Sequence, residues 1–584
     1  MRKKRMLVCL AMMMLGIGIL VARLAQIQLI ETKSFSRHNI DLLEESTKRR
    51  MQEIVIDNGR GNFLDRSGKP MSYETVPVLI LFPFLGKNEW PADKVSKVTG
   101  IQEEKLHNAI KNAKMPAVVG GKKPIVLTED QMDEVNRLNI PGVIAAKRKY
   151  LASPRYAEQL LGLTSMNPKS LKEKYRKEDF PSGTLIGISG LQRSFDEFLI
   201  GEGKTRLVYH VDGRGEPLFG IDVKYAEPAN PFYPANVATT IDLELQKMAE
   251  KLVDDHEIKK GGVVLLDIKT NNILAMVSRP KVNRNSPYAD EGNNNMMLKQ
   301  HIPGSVFKTV VAAAALDQGG LDGRVFNCSK KLNGNQDTKY DHGMLDFNKS
   351  FARSCNRTFA EVAKELQKKD PHVLETYAEK LSLTGSVGWR GTLFHENLFL
   401  QLPEEERGRV FLSDEARKDS NYSRLTGIGQ HEVRVTPLAV ANMLSTIARG
   451  GEKQMVRAVS AIKYKNGNKL ADFPAKKLSG ESITPMTADK LQYLLRQVVV
   501  DEKGTGKWFR DLPMSVAGKS GTAETGIFKG DKQLHHKWFA GYFPYEEPRY
   551  ALVAVSLDTL EDEGGVNMLF SDIVKGIALK NEKD

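Results

Sequence analysis

The sequence predicts an α+β fold in which helices flank an antiparallel sheet. Residues Gly261–Pro280 (GGVVLLDIKTNNILAMVSRP) hold two apolar runs joined by a Lys-Thr-Asn-Asn turn, which is typical of a buried hairpin. Two more strands are predicted near the carboxyl end, at His535–Pro544 (HHKWFAGYFP) and Arg549–Asp558 (RYALVAVSLD). Helical patterns such as Thr436–Gly451 (TPLAVANMLSTIARGG) lie between them. Strands from both ends of a domain, with helices inserted between, favour this fold class.

Length and composition predict a globular chain of two or three domains. The 584 residues are too many for one typical domain, and they are 41% hydrophobic and 27% charged. A net charge of +13 fits a basic soluble surface, or contact with nucleic acid, anionic lipid or an anionic polymer matrix. The basic residues are scattered and no zinc-finger or RNP-like pattern occurs, so we expect no nucleic-acid partner.

The amino-terminal residues predict a single membrane anchor. Four basic residues in MRKKR precede an apolar run of 17 residues, Met6–Ala22, which is near the lower limit of roughly 17–25 residues that span a bilayer. We expect a cytoplasmic tail at residues 1–5, a transmembrane helix at 6–24 and the remaining bulk outside the cell membrane. A cleaved signal peptide is the alternative, but Ala22-Arg23-Leu24-Ala25 is a poor cleavage site.

A proline-bearing link at Ala226–Asn236 (AEPANPFYPAN) predicts a domain boundary. The sequence pattern changes beyond this link, where the apolar strands and helical patterns described above begin. We therefore expect one extracytoplasmic domain at residues 25–230 and a second at 235–580.

A serine and a lysine lie three residues apart at the start of an apolar helix. The segment His301–Leu316 (HIPGSVFKTVVAAAAL) places Ser305 and Lys308 on one helical face after a Pro-Gly turn. A lysine at the mouth of so apolar a helix suggests a chemical role. The Ser-x-x-Lys pattern alone is weak evidence, because it recurs at Ser278 and Ser460. Pro280 argues against a helix at the first of these, and the second is predicted to lie in a strand and turn.

Two further motifs follow in a fixed order. Ser350–Ala363 contains Ser354-Cys355-Asn356 just before an amphipathic helix, and Val516–Thr525 contains Lys519-Ser520-Gly521-Thr522 on a predicted strand. Ser354 alone could be a helix cap, and Lys519 alone a charge on an exposed strand. The ordered set Ser-x-x-Lys, Ser-x-Asn and Lys-Ser-Gly resembles the signature of the active-site serine enzymes that recognise penicillin.

Over nearly its whole length the chain resembles a class B penicillin-binding protein. The resemblance includes RGNFLDRSG, TTIDLELQ and HKWFAGYFP, and also GISGLQRSFDEFLIGEGK, in which Gln192 replaces the usual Glu and leaves one pedestal contact open. It implies a membrane anchor, a non-catalytic pedestal at 25–230 and a transpeptidase domain at 235–580. We find no glycosyltransferase motif, which favours class B over class A.

Serine needs a nearby base to act as a nucleophile, and a neutral Lys308 one turn from Ser305 could serve. Burial and a second cation at Lys519 would both lower the pKa of Lys308. The resemblance implies that the oxyanion is held by the backbone N–H groups of Ser305 and Thr522. It implies that Ser354 passes a proton to the leaving amine and that Asn356 holds Lys308 and the substrate backbone. The substrate carboxylate would be bound by the Lys-Ser-Gly-Thr segment: Lys519, Ser520, Gly521 and Thr522.

The resemblance implies acyl transfer on peptidoglycan. Ser305 would attack the D-Ala-D-Ala bond of a stem peptide, release D-alanine and pass the acyl group to a neighbouring amine. β-Lactams would acylate the same serine, and we expect neither a metal nor an organic cofactor. A membrane glycosyltransferase or a cell-wall synthesis complex is the expected partner.

Three other functions share some of these features. A class A β-lactamase would need a Glu-x-x-Leu-Asn motif, and none follows Ser305. A D,D-carboxypeptidase differs only in using water as the acceptor. The chain could also act mainly as a scaffold in cell-wall synthesis.

Cys328 and Cys355 could be free thiols or a single bridge, since an extracytoplasmic domain meets an oxidising compartment. Cys355 is the middle residue of Ser-x-Asn. We predict a bridge that tethers the loop after Phe326 to the active site, depresses activity and makes the enzyme redox-sensitive. Two unpaired core cysteines are the alternative.

Overall fold

The computed structural model describes residues 2–30, 32, 51–121, 123–176, 178, 180–181, 183–211, 224–287, 289–337, 341–563 and 565–582. The first helix, Arg2–Ala25, continues into a π-helical turn at Gln26–Ile30. It is long and apolar enough to cross a membrane.

The chain divides into two compact units that are not continuous in sequence. The first unit contains residues 1–59, 74–150 and 202–230, and the second contains 60–73, 151–201 and 231–584. The chain thus passes between the units five times, the last time between residues 230 and 231. The predicted link at Ala226–Asn236 contains the last of these crossings.

Two small sheets and three short α-helices form most of the first unit. One sheet has the strands Met51–Asp57, Thr205–His210 and Lys224–Ala226, in that order. The other places Tyr73–Leu81 between Ala117–Val118 and Val143–Leu151. The helices are Ala92–Thr99, Glu103–Ile110 and Glu129–Arg137, with a 3₁₀ turn at Pro83–Gly86. Their apolar faces meet in a core that contains Leu79, Val95, Leu106 and Val135.

The second unit is built on a five-stranded antiparallel sheet. Its strands are β1 (Gly261–Asp267), β2 (Ile273–Arg279), β3 (Ala517–Lys529), β4 (Lys532–Phe543) and β5 (Tyr550–Thr559). The order across the sheet is β2-β1-β5-β4-β3, so β3 is a terminal strand. Near its end, β3 carries the exposed side chains of Ile527 and Phe528.

Helices cover both faces of this sheet. The longer helices of this unit are α1 (Leu243–Asp255), α2 (Lys308–Gln318), α3 (Asn356–Lys369), α4 (Pro437–Ala448), α5 (Pro485–Val500) and α6 (Asn567–Asn581). Alternate residues of β1 enter different cores: Val263 packs with α1 and α6, and Val264 packs with α2 and α4. The apolar hairpin predicted at 261–280 is therefore buried on both faces. The predicted α+β fold with an antiparallel sheet between helices is confirmed.

Shorter elements complete the second unit. The remaining helices are Glu158–Leu161, Pro168–Lys174, Gly190–Ser194, Asp196–Leu199, Phe347–Ala352, Val373–Lys380, Asp414–Lys418 and Ser420–Gly427, with 3₁₀ turns at Gly304–Phe307 and Lys507–Phe509. The remaining strands are Phe63–Leu64, Thr164–Ser165, Ile186–Gly187, Asn236–Thr239, Val325–Asn327, Met344–Asp346, Arg390–Leu393, Glu396–Leu400, Val459–Lys463 and Lys469–Asp472.

Gln192 takes part in a buried polar cluster within this unit. Its Oε1 accepts hydrogen bonds from Nε and Nη2 of Arg60 at 2.9 and 2.6 Å. Asp196 lies 2.8 Å from the same guanidinium and also accepts from Lys174 and Tyr175. Gln192 thus receives two guanidinium N–H bonds, while Asp196 supplies the negative charge.

Candidate active site

Ser305 lies in the 3₁₀ turn Gly304–Phe307, which leads directly into α2. The rest of the turn is buried, whereas Ser305 is half-buried and lines a cleft. The two other Ser-x-x-Lys serines lie in strands, Ser278 in β2 and Ser460 in Val459–Lys463. Within the described residues, the pair formed by Ser305 and Lys308 is thus the Ser-x-x-Lys that lies on helical backbone.

Two glycines let this turn touch strand β3, backbone against backbone. A Cβ on Gly304 would lie 2.3 Å from the carbonyl oxygen of Thr522, and Gly304 itself has φ +54°. A Cβ on Gly521 would lie 2.5 Å from the carbonyl oxygen of Pro303. Neither position has room for a side chain, because distances this short are repulsive for carbon and oxygen. The close approach sets the backbone beside Ser305 against Thr522.

Lys308 is fully buried, and its ammonium nitrogen points at the Ser-x-Asn motif. Nζ lies 2.7 Å from the carbonyl oxygen of Ser354, 3.1 Å from Oγ of Ser354 and 2.7 Å from Oδ1 of Asn356. Among the described residues, Nζ makes no hydrogen bond to Ser305. Burial, and then the nearby Lys519, hold the pKa of Lys308 well below its ordinary value.

Ser354 occupies a tight turn between the helix Phe347–Ala352 and α3. Its φ is +59°, a left-handed conformation that costs energy for a residue with a side chain. The residue that caps α3 is Cys355, so the alternative interpretation of Ser354 as a plain helix cap is wrong. The turn instead directs the Ser354 hydroxyl toward the two lysines.

Lys519 lies on β3 and donates from Nζ to Oγ of Ser354 at 2.9 Å and to the carbonyl oxygen of Ser520 at 3.1 Å. The alternative interpretation of Lys519 as a charge on an exposed strand is wrong, because the residue is 1% exposed. Its Nζ lies 5.8 Å from the ring centre of Phe351, in cation–π range. Burial lowers the pKa of Lys519 to about 7.

The motif residues line a cleft of about 1400 Å³. Ser520, Thr522 and Glu524 alternate along β3, so they share one face of the strand and all three line the cleft. The charged residues of the wall include Lys330, Lys331, Arg353, Arg357, Glu524, Lys532, Glu561 and Asp562.

One contact in the cleft lies outside the motifs. Oγ of Ser520 donates to Oγ1 of Thr505 at 2.8 Å. Thr505 belongs to a Gly-Thr-Gly loop after α5, and such a sequence is typical of an ordinary turn. The sequence therefore held no signal that would single out Thr505.

Cys328 and Cys355 form a disulfide, and both cysteines are buried. Cys328 follows the strand Val325–Asn327, and Cys355 stands between Ser354 and Asn356. The hydroxyl of Thr358 contacts both sulfur atoms, at 3.4 Å from Cys328 and 3.2 Å from Cys355. The bridge thus joins the loop after Phe326 directly to the Ser-x-Asn motif.

A group of possible metal ligands lies elsewhere on the surface of the second unit. Glu197, His395 and Glu396 bring their ligand atoms within 4.8 Å of one another, and all three are exposed. None of the three lines the cleft.

Comparison with known proteins agrees with this geometry. Residues 261–575 match the family described as Penicillin binding protein transpeptidase domain, and residues 55–231 match Penicillin-binding Protein dimerisation domain. The peptidoglycan D,D-transpeptidase MrdA of Haemophilus influenzae is 25% identical, over 96% of this chain and 89% of the relative. The peptidoglycan D,D-transpeptidase FtsI of Escherichia coli K12 is 24% identical, over 93% and 86%.

Two further comparisons agree with these. Penicillin-binding protein 3 of Bacillus subtilis is 24% identical, over 88% of this chain and 75% of the relative. A chain from a solved structure described as structural coordination of polymerization and crosslinking by a peptidoglycan synthase complex has the same fold. It gives a TM-score of 0.65 at 22% identity and covers 97% of each chain. The transpeptidase match covers more than half of the sequence, and the chain therefore belongs to the penicillin-binding proteins, as a class B member with a dimerisation domain and a transpeptidase domain.

Proposed function

We propose that the chain is a peptidoglycan D,D-transpeptidase that works through an acyl-enzyme on Ser305. One observation carries the assignment: the hydroxyl oxygen of Ser354 accepts hydrogen bonds from both Lys308 and Lys519 in the cleft that Ser305 lines. The site thus offers a nucleophile, an amine with a lowered pKa and a hydroxyl between two amines. These are the parts that general-base acyl transfer requires.

In the acylation step, Ser305 attacks the carbonyl carbon of the D-Ala-D-Ala bond. The hydroxyl proton passes to neutral Lys308, the Oγ–C bond forms, and the oxyanion is held by the backbone N–H groups of Ser305 and Thr522. The C–N bond then breaks, Ser354 gives the leaving D-alanine its proton, and Lys308 returns the proton it took to Ser354 across their 3.1 Å contact. Lys519, Ser520, Gly521 and Thr522 bind the terminal carboxylate during this step.

In the second step an amine of a neighbouring stem peptide attacks the ester. The new C–N bond forms while the amine loses a proton through Ser354 to Lys308. The C–Oγ bond then breaks, and Lys308 gives that proton to Oγ of Ser305. Asn356 holds Lys308 in place through its 2.7 Å contact and receives the substrate backbone. Penicillins follow only the first step. Their β-lactam ring opens when Ser305 attacks, but the leaving nitrogen stays attached to the acyl group.

Covalent labelling with a fluorescent penicillin tests the nucleophile. The wild-type ectodomain should be labelled and Ser305→Ala should not. Ser460→Ala is a matched control, because Ser460 belongs to another Ser-x-x-Lys but lies in a strand outside the cleft. Retained labelling in Ser305→Ala would refute the assignment.

The products distinguish transpeptidation from the other candidate activities. With a D-Ala-D-Ala stem peptide as both donor and acceptor, mass spectrometry should find a cross-linked dimer and free D-alanine. Shortened monomer alone would indicate a D,D-carboxypeptidase. Folded protein that forms no acyl-enzyme would indicate a scaffold.

We also propose a topology and a partner. Residues 1–5 stay in the cytoplasm, 6–24 span the membrane, and both the pedestal at 25–230 and the transpeptidase domain at 235–580 lie outside. The apolar helix and the basic residues before it support this orientation. A membrane glycosyltransferase in a cell-wall synthesis complex is the proposed partner. Protease added to intact spheroplasts should remove the ectodomain, and a protected ectodomain would contradict the orientation.

The disulfide supports a redox role for Cys328 and Cys355. We propose that the bridge restrains the turn that holds Ser354 and thereby slows acylation. A dithiol reductant would supply two electrons and two protons, convert the bridge to two thiols and become a disulfide itself. Penicillin labelling should then accelerate in the wild type, and the Cys328→Ser, Cys355→Ser double variant should not respond to reductant. Equal rates before and after verified reduction would refute the role.

A further inference from the structure

The loop Asp501–Gly506 lies outside the three motifs, but it touches the Lys-Ser-Gly motif and the two residues just before the Ser-x-Asn motif, Ala352 and Arg353. The backbone N–H of Thr505 donates to the carbonyl oxygen of Ala352 at 3.1 Å, two residues before Ser354. The side chain of Thr505 meets Ser520 of the Lys-Ser-Gly motif. Thr505 also lines the cleft together with Ser354 and Ser520.

The hydroxyls of Thr505 and Ser520 form a coupled pair. Ser520 donates to Thr505, whose own proton is directed at the carbonyl oxygen of Ala352 over 3.5 Å. That distance is longer than an ordinary O–H···O bond of about 2.5–3.0 Å, so the Thr505 proton is held weakly. Two hydroxyls bonded to each other have one proton left for a third group. An ionised carboxylate only accepts hydrogen bonds, so it is a suitable acceptor for this remaining hydroxyl proton.

An ion pair fixes the loop to the other side of the site. Arg353 binds both carboxylate oxygens of Asp501, at 3.0 and 3.2 Å, and both side chains are largely buried. Burial acts to raise the pKa of Asp501, but the bonds from Arg353 outweigh it and the pKa is lowered. Arg353 is the residue before Ser354. The loop is therefore tied to the turn that positions the proton-transfer hydroxyl.

From these contacts we propose that Thr505 is a specificity-determining residue for the terminal carboxylate of the donor substrate. Its hydroxyl and that of Ser520 act as one unit beside Lys519, and Thr505 donates a hydrogen bond from this unit to the carboxylate. Arg353 and Asp501 are positioning residues, because their ion pair fixes the loop that carries Thr505 to the turn that carries Ser354. The proposal rests on the transpeptidase function and assigns its carboxylate site a residue outside the motifs.

The test compares two acyl donors that differ only in the terminal carboxylate. N-benzoyl-D-alanyl-thioglycolate carries the carboxylate, and its methyl ester does not. In Thr505→Val, kcat/KM for the carboxylate donor should fall about tenfold to a hundredfold, as expected when a bond to a charged group is lost. The kcat/KM for the ester should change little, and Thr505→Ser should restore the preference for the carboxylate.

The outcomes distinguish a failure of this proposal from a failure of the transpeptidase function on which it rests. Ser305→Ala should abolish turnover of both donors, and if the wild type turns over neither, the transpeptidase function itself fails. If Thr505→Val loses both donors equally while it stays folded, Thr505 has only a structural role and the proposal is wrong. If Thr505→Val does not fold, Thr505→Cys has nearly the same volume with a weaker donor and must show the same change in preference.

Discussion

Lys308 and Lys519 donate hydrogen bonds to the same oxygen atom, Oγ of Ser354, at 3.1 and 2.9 Å. Both lysines are buried, and each burial disfavours the charged form. Two ammonium groups that hydrogen-bond to one hydroxyl in a site shielded from water repel each other strongly. The arrangement is stable when one amine is neutral, and a neutral amine is the base that the proposed mechanism requires for Ser305.

The pH dependence of acylation should reflect this division of charge. In the proposed mechanism, binding a penicillin carboxylate requires a protonated Lys519, whose pKa is about 7, while Lys308 must be neutral. The second-order rate of labelling should therefore fall as pH rises through about 7, with macroscopic pKa values that belong to the pair. Stopped-flow labelling between pH 5 and 10 measures the profile. A carboxylate-free ester should lack the alkaline decline, and a rate that keeps rising above pH 8 for both probes would contradict the assignment.

Lys519 should also make stability depend on pH. Its pKa is about 7 when folded, against roughly 10.4 in an unfolded chain. Between these values the unfolded state binds more protons, so the stability of the wild type should rise with pH. The gain in melting temperature of Lys519→Met over the wild type should be largest at or below pH 6 and shrink toward pH 10.

Lys532→Met is the control for this measurement, because Lys532 is mostly exposed. Its melting temperature should differ from that of the wild type by the same small amount at every pH. A Lys519→Met difference that does not vary with pH would mean that Lys519 is not buried with a lowered pKa.

Gly304→Ala should abolish penicillin labelling. The new Cβ would meet the carbonyl oxygen of Thr522 at 2.3 Å, and the positive φ of residue 304 disfavours a side chain as well. The turn must move away from β3, which separates Ser305 from the carboxylate site. Gly385→Ala is the control, since no atom lies within 4 Å of its added Cβ, and it should label like the wild type. Normal labelling by Gly304→Ala would show that the turn and β3 tolerate separation.

Arg60→Ala should destabilise the second unit by about 3–5 kcal/mol, because it removes a buried guanidinium that donates to Gln192 and pairs with Asp196. It leaves Asp196 with Lys174 as its one remaining cation among the described residues. The free energy of unfolding from urea titration measures this loss. Arg66→Ala removes a mostly exposed arginine and should cost less than about 1 kcal/mol. Labelling per folded molecule should stay unchanged in both, since neither arginine lines the cleft. A loss in Arg60→Ala no larger than that in Arg66→Ala would contradict the role of the buried pair.

The fold class and the grouping of the motifs could be predicted because they depend on local pattern. Apolar runs such as 261–267 indicate a strand that is buried on both faces. A serine and a lysine three residues apart indicate two side chains on the same face of a helix. The burial of Lys519 could not be predicted in this way. It depends on Phe351 and on the turn at Ser354, which lie far from Lys519 in the sequence.

The same reason explains why Thr505 was missed. Its importance comes from a hydroxyl on β3 and a carbonyl group before Ser354, and neither leaves a trace in the sequence Gly-Thr-Gly. The positive φ of Ser354 was equally hidden, because serine gives no local signal for a left-handed turn. For the two cysteines, composition left bridge and free thiols open, and their proximity in the fold decides between them.

The terminal position of β3 has a consequence for the behaviour of the protein in solution. Proteins usually protect the outer strand of a sheet, because unpaired backbone groups invite another chain to pair with them. Here that strand carries the site, and beyond Thr522 it runs toward the exposed Ile527 and Phe528. An edge that must stay open to receive an extended peptide is also an edge at which copies of the protein can add to one another. Concentrated preparations should therefore self-associate through this strand, and a covalently bound penicillin should suppress that aggregation.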